Sequence, residues 1–118
     1  NNITFITGAT SGIGRGTAEV FAEAGSDLIL LARREERLNE MKSKFTNEYG
    51  IDVLTLVCDV RDKKQVDEAV SNITGKWESI DVLVNNAGLA RGLEKIQDGK
   101  LENWEEMIDT NVKGLRIT

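Results

Sequence analysis

Four short apolar runs rich in β-branched and aliphatic residues begin at Ile3, Leu28, Val53 and Ile80, at intervals of 25, 25 and 27 residues. The runs extend from Ile3 to Ile6, Leu28 to Ala32, Val53 to Cys58 and Ile80 to Val84, and each is close to continuous rather than alternating. That is the pattern of strands covered on both faces in a parallel sheet. Parallel neighbours require a crossover of a dozen or more residues, and each interval leaves room for one helix. The intervals carry helical periods to match. Ile13, Thr17, Val20, Phe21 and Ala24 predict the buried stripe of the first helix; Leu38, Met41, Phe45 and Tyr49 predict the second; Val66, Ala69, Val70 and Ile73 predict the third. Asp62 followed by Gln65 predicts a capping box at the start of the third helix. Gly25, Gly50 and Gly75 are expected near the three helix ends, each in the left-handed conformation that turns the chain back.

Strand, helix, strand repeated three times with right-handed crossovers makes the chain α/β, half of a doubly wound parallel sheet. The first strand is expected to be central, and the chain reverses direction between strands one and four, opening a crevice at the strand ends. Residues Leu89 to Lys100 read as a polar loop over those ends, and a final helix is expected from Leu101. At 118 residues the chain is expected to form one domain over 1–118, with no linker or low-complexity tract.

Composition removes several chemistries. Histidine is absent and Cys58 is the single cysteine, so internal disulfides, Cys/His zinc sites and Ser-His-Asp or Cys-His nucleophiles are excluded within these residues. No metal site is expected. A formal net charge of -5 argues against a general nucleic-acid surface, and any anion would need a local basic pocket. No apolar run approaches the ~20 residues of a membrane span, and no signal-type segment opens the sequence, so a cytoplasmic location is expected. The sequence begins at Asn1 and holds no proline, where average usage gives about six. We expect an excerpt of a longer polypeptide.

The chemistry lies at the strand ends. Directly after the first strand stands Thr7-Gly8-Ala9-Thr10-Ser11-Gly12-Ile13-Gly14, opening the first helix. Glycines there let the backbone turn tightly and approach a pyrophosphate, which the helix dipole and unpaired amides stabilise, while Thr10 and Ser11 offer hydroxyls. The alternative is a strand-to-helix turn without a ligand, against which its placement in a βαβ unit counts. About twenty residues beyond the glycines, where an NAD-binding fold places an acidic residue on the ribose 2'-hydroxyl, stand Arg33 and Arg34. Two guanidinium groups suit a 2'-phosphate and hence NADP; the alternative is a pair of solvated arginines matched to Glu35 and Glu36.

Asp59-Val60 ends the third strand and Asn85-Asn86-Ala87-Gly88 the fourth, both bordering the crevice. Asp59 can accept from an adenine amino group, and Ala87 and Gly88 leave space for a flat ring; turn chemistry is the other reading of both motifs. In the final helix Trp104, Met107, Ile108, Asn111 and Leu115 share one stripe, so the Asn111 amide needs a partner in backbone, water or ligand.

Thr7 to Gly14, Asp59-Val60, Asn85 to Gly88 and Asn111 resemble, in order and spacing, the short-chain dehydrogenase/reductase family, and the resemblance covers essentially the whole chain. Ala32-Arg33-Arg34 is similar to its NADP-preferring members. Asn85 to Ala90, Trp104-Glu105 and Met107 to Gly114 resemble its 3-hydroxy acid dehydrogenases. The resemblance implies a Rossmann-type sheet and hydride transfer between nicotinamide and an alcohol or ketone carbon. It further implies pyrophosphate contacts from Gly8 to Ile13, 2'-phosphate contacts from Arg33 and Arg34, adenine contacts from Asp59 and Val60, and the neighbouring ring and ribose at Asn86, Ala87 and Gly88. The asparagine matching Asn111 would hold a water in a catalytic proton relay, and the assembly would be a homotetramer. The family's Tyr-x-x-x-Lys is missing: the single tyrosine, Tyr49, is followed four residues later by Val53. These residues alone are therefore expected to be inactive. A non-catalytic dinucleotide-binding module and a structural domain that binds nothing are the other hypotheses.

Overall fold

The structure, a computed structural model, describes residues 2–86. Its elements run β1 (Ile3–Thr7), α1 (Gly12–Glu23), β2 (Asp27–Ala32), α2 (Glu35–Tyr49), β3 (Val53–Val57), α3 (Lys63–Ser71), a 3-10 turn (Gly75–Glu78) and β4 (Val82–Asn85). The strands form one parallel sheet in the order β3-β2-β1-β4. Ile3 pairs with Asp27, Thr4 with Val82, and Leu28 with Val53, so the first strand is central and the direction of winding reverses beside it. The loop predicted over Leu89 to Lys100 and the helix predicted from Leu101 lie outside the described residues.

Both central strands are buried along their whole length, which accounts for the continuous apolar runs in the sequence. Successive side chains still point to opposite faces. Leu28 and Leu30 of β2 join Ala18 and Ala22 of α1 and Leu38, Met41 and Phe45 of α2 in one core. Ile29 and Leu31 join Val66, Ala69 and Val70 of α3 in the other. Helices α1 and α2 therefore cover one face and α3 the opposite face, as right-handed crossovers on either side of β1 require.

The second and third helices bury the predicted stripes, with Tyr49 only half-buried and Ile73 just past the end of α3. The first does not. Ile13 is 52% and Val20 48% exposed, Ala24 is also exposed, and the buried face of α1 is Gly14, Thr17, Ala18 and Ala22. The fully buried face of the helix is made of small residues, with Phe21 packing at its edge, so size outweighs hydrophobicity at the centre of the contact. Thr17 turns its hydroxyl inward to the Ile13 carbonyl, 2.8 Å away.

The helix ends differ in two details from the expectation. Gly50 closes α2 at φ 67°, donating to the Thr46 carbonyl at 3.0 Å, and Gly25 follows Ala24, the cap of α1, at φ 90°. Helix α3 instead stops at Asn72 in the right-handed region, and Gly75 opens the short 3-10 turn. Asp62 caps α3 through the Lys64 and Gln65 amides, while Gln65 reaches past it to the Asp59 amide, so the capping box is only half formed. Strand β4 begins at Val82 rather than Ile80, because Asp81 first ties both its amide and its carboxylate to the Ile3 backbone. At the same rim Asp27 is nearly fully buried. Its carboxylate accepts from the Asp52 amide at 2.9 Å and from Lys76 Nζ at 3.1 Å, and Lys76 also reaches Asp52, so the buried charge is partnered.

Among the described residues no helix is long and apolar enough to cross a membrane. The tight seating of α1 makes a direct prediction. Ala22→Leu forces an overpacked interface and lowers stability by about 1–3 kcal/mol, whereas Val20→Ser on the open face stays within about 0.5 kcal/mol. Urea unfolding midpoints of the two variants check it.

Candidate functional site

The carboxyl end of β1 sets the site. Gly8 follows the strand at φ 63°, a conformation that side-chain-bearing residues rarely adopt, and turns the chain so that the Ala9 amide donates to the Leu31 carbonyl at 3.1 Å. Ser11 then caps α1. Its hydroxyl donates to the Gly8 carbonyl at 2.9 Å and accepts from the Gly14 amide at 3.0 Å. Gly14 is confined by the same carbonyl: a Cβ there would lie 2.1 Å from the Gly8 oxygen. The loop thus folds back on the first turn of its own helix, and a glycine at position 14 is what allows it.

Three backbone amides of this turn, those of Thr10, Gly12 and Ile13, have no acceptor among the described residues. They stand at the positive end of the α1 dipole, where an anion is stabilised. Ser11 spends its hydroxyl proton inside the loop, which leaves Thr10 as the hydroxyl donor without a partner among the described residues. A diphosphate therefore fits the donor set here: free amides, one hydroxyl and backbone with no side chain in the way.

A cavity of about 510 Å³ opens beside this turn, at the carboxyl ends of β1, β2 and β3. Gly8, Thr10 and Ser11 form one wall, Arg33 and Arg34 a second, and Asp59 and Val60 a third. Seven of the predicted residues are brought together there. Ala9 lies buried behind the wall; Gly12 faces a separate groove between α1 and α2; Ile13 stays exposed on the helix. Asn86 is exposed at the end of β4 and does not line the cavity. Beside it the buried Asn85 accepts from the Thr7 hydroxyl at 2.8 Å, locking the ends of β4 and β1 together. Ala87, Gly88 and Asn111 lie outside the described residues.

Arg33 and Arg34 occupy the two residues between β2 and α2, both exposed. Neither guanidinium makes an ion pair or hydrogen bond among the described residues, so Glu35 and Glu36 do not neutralise them there. Two further arginines line the cavity that the sequence reading passed over. Arg37 lies three and four residues beyond the predicted pair, the spacing that places it on their side of the helix. Arg61 follows Asp59 by two residues, the reach of an aspartate turn, and forks onto that carboxylate. Arg61 holds Asp59 well below the usual carboxylate range, at about 2, through its side-chain and backbone donors. Cys58 is buried in the floor, and burial, with Asp59 and Asp62 nearby, pushes its thiol up, which fits a packed residue rather than a nucleophile. No group of three or more potential metal ligands occurs among the described residues.

The chemistry such a cavity offers is anion and base recognition: the free amide and hydroxyl of Thr10 at one side, guanidiniums without ion-pair partners among the described residues at another, a fixed carboxylate at the third. A family model described as short chain dehydrogenase matches residues 2–118. The NADP-dependent 3-hydroxy acid dehydrogenase YdfG of Salmonella typhi is 47% identical over 113 residues, covering 96% of this chain and 44% of that protein. Sulfoacetaldehyde reductase 2 of Chromohalobacter salexigens is 47% identical over 115 residues, 98% of this chain and 45% of that one. Among solved structures, L-sorbose reductase from Gluconobacter frateurii complexed with NADPH and L-sorbose superposes with a TM-score of 0.69 at 38% identity, covering 75% of this chain and 34% of that one. The chain spans less than half the length of these relatives.

The Asp59–Arg61 pair predicts a titration. The folded value of Asp59 is below its ordinary 3.8, so its contribution to stability is complete above 3.8 and is lost as pH falls through about 2. Arg61→Ala removes the two guanidinium donors but keeps the backbone amide, and so moves Asp59 part of the way back toward 3.8, a shift that carboxyl-carbon NMR reads directly.

Proposed function

Since this chain belongs to the short chain dehydrogenase family, we propose that it forms a single NADP-binding domain of an oxidoreductase that transfers hydride between nicotinamide and an alcohol or ketone carbon. The observation that carries the reading is one cavity shared by Gly8, Thr10 and Ser11 of the turn opening α1 and by two arginines that make no ion pair or hydrogen bond among the described residues. Bound there, NADP supplies the hydride acceptor or donor. The chain's own residues bind and orient it.

In this reading Gly8, Ala9, Thr10, Ser11, Gly12, Ile13 and Gly14 receive the diphosphate. The amides of Thr10, Gly12 and Ile13 donate, Ser11 holds the turn, and Gly8 and Gly14 keep the approach clear. Arg33 and Arg34 grip the 2'-phosphate. Asp59 accepts from the adenine amino group while Val60 packs against the base. Asn86, Ala87 and Gly88 border the neighbouring ring and ribose, and Asn111 holds a water for proton transfer, on the strength of the family resemblance.

The general acid/base and its activating lysine are not among these residues, since the sequence contains no Tyr-x-x-x-Lys. We therefore propose that the 118 residues by themselves do not oxidise NADPH with ketones. The similarity to a 3-hydroxy acid dehydrogenase and a sulfoacetaldehyde reductase supports a small acid bearing an alcohol or carbonyl as substrate. A homotetrameric, cytoplasmic enzyme that engages neither nucleic acid nor membrane completes the proposal.

The arginines provide the test. A hydrogen bond to a charged group contributes about 1.5–3 kcal/mol, so replacing both Arg33 and Arg34 by alanine weakens NADPH by at least about tenfold. NADH, which lacks the 2'-phosphate, changes by less than about threefold, because its contacts lie elsewhere. Calorimetric titration of both coenzymes into wild-type and doubly substituted protein checks it, and equal losses would remove the 2'-phosphate assignment.

A further inference from the structure

Asp59 leaves β3 with its carboxylate on the cavity wall, and the donors around it are unevenly shared. Oδ1 accepts from the Arg61 backbone amide at 3.0 Å and from Arg61 Nε at 3.2 Å. Oδ2 accepts from Arg61 Nη2 at 3.1 Å. Each carboxylate oxygen has two lone-pair directions. Oδ1 is filled, and Oδ2 keeps one direction without a donor among the described residues. The guanidinium is planar and its two donors are rigidly spaced, so the fork fixes the plane of the carboxylate as well as its distance. The backbone beneath is braced too, by Gln65 Oε1 accepting from the Asp59 amide at 2.9 Å. Asp59 is the more sheltered of the two, with a side chain 27% exposed against 76% for Arg61, and both line the cavity.

We propose that Arg61 is a positioning residue for recognition of the coenzyme base: by filling Oδ1 and bracing Oδ2, it leaves the cavity one fixed acceptor that takes an N–H of a 6-amino purine and repels a 6-oxo purine. The inference rests on the reading of this cavity as the NADP site with Asp59 beside the adenine. Without the guanidinium only the residue-61 backbone amide still holds Oδ1; Oδ2 loses its brace, the carboxylate plane is no longer fixed, and an amino group gains little over a carbonyl. The diphosphate and 2'-phosphate contacts are untouched. Arg61 therefore governs which base is preferred more than how tightly the rest of the coenzyme is held.

The experiment is calorimetric titration of the protein with NADPH and with its hypoxanthine analogue, in which a carbonyl replaces the 6-amino group. Wild type is expected to prefer NADPH by about tenfold, the loss that follows when a charged acceptor is left facing a carbonyl. Arg61→Ala is expected to cut that preference below about threefold while the analogue's own affinity moves little. Arg61→Lys keeps the charge but not the fork, and is expected to lose the preference as well; it also serves if the alanine variant fails to fold. In an Asp59→Ala background, Arg61→Ala is expected to change the ratio no further, as coupling through one carboxylate requires. Absence of saturable NADPH binding by wild type would overturn the coenzyme assignment itself. Binding without preference for NADPH over the analogue would overturn the role of Asp59 and this inference with it. Undiminished preference in Arg61→Ala or Arg61→Lys would overturn the inference alone and leave the coenzyme assignment standing.

Discussion

The contact between Gly14 and the carbonyl of Gly8 decides where the first helix leaves the sheet. With no side chain at position 14, the first turn of α1 closes down on the end of β1, and the Ser11 hydroxyl bridges the two. The helix is then seated so low that Ala18 and Ala22 are completely buried. The same seating sets the turn that opens α1 beside the cavity, and the amides of Thr10, Gly12 and Ile13 have no acceptor among the described residues. The packing of α1 and the exposure of these amides thus share one cause.

Charge is distributed against the average. The chain carries a net charge of -5, yet four arginines line one cavity and a single aspartate faces them. That aspartate is forked by Arg61 and also feels Arg33, so one carboxylate is shared among four guanidiniums and the cavity keeps an excess of positive charge. A local positive field inside an acidic protein favours a multiply charged anion at that place and discourages anions elsewhere.

Much of this was legible in the sequence because the signals were periodic or positional. The spacing of the apolar runs announced the strand order, since crossovers of one length and one hand leave few topologies open. Arg33 and Arg34 could be found because they stand where the second strand must end. The face of α1 could not be read by hydrophobicity: Ile13 and Val20 are the greasier residues, but Gly14, Ala18 and Ala22 are the ones thin enough to touch the sheet. Gln65 resembled half of a capping box and instead bonds Asp59, because a long amide reaches whichever unsatisfied N–H the local turn presents. Arg61 escaped notice because its role depends on a backbone turn at Asp59 that composition does not announce.

The amino-terminal rim of the sheet, where Lys76 joins Asp27 and Asp52, is separated from the arginine cavity by the full length of the strands. At ~3.3 Å per residue, the five residues of β1 extend about 16 Å, roughly twice the distance over which physiological salt screens exposed charge. Exposed charges at the two poles of the domain therefore feel each other only weakly through solvent. Surface charge around the lower pole can be redesigned, for crystallisation or solubility, with little effect on the field inside the arginine cavity, provided Lys76 is kept as the partner of the buried Asp27.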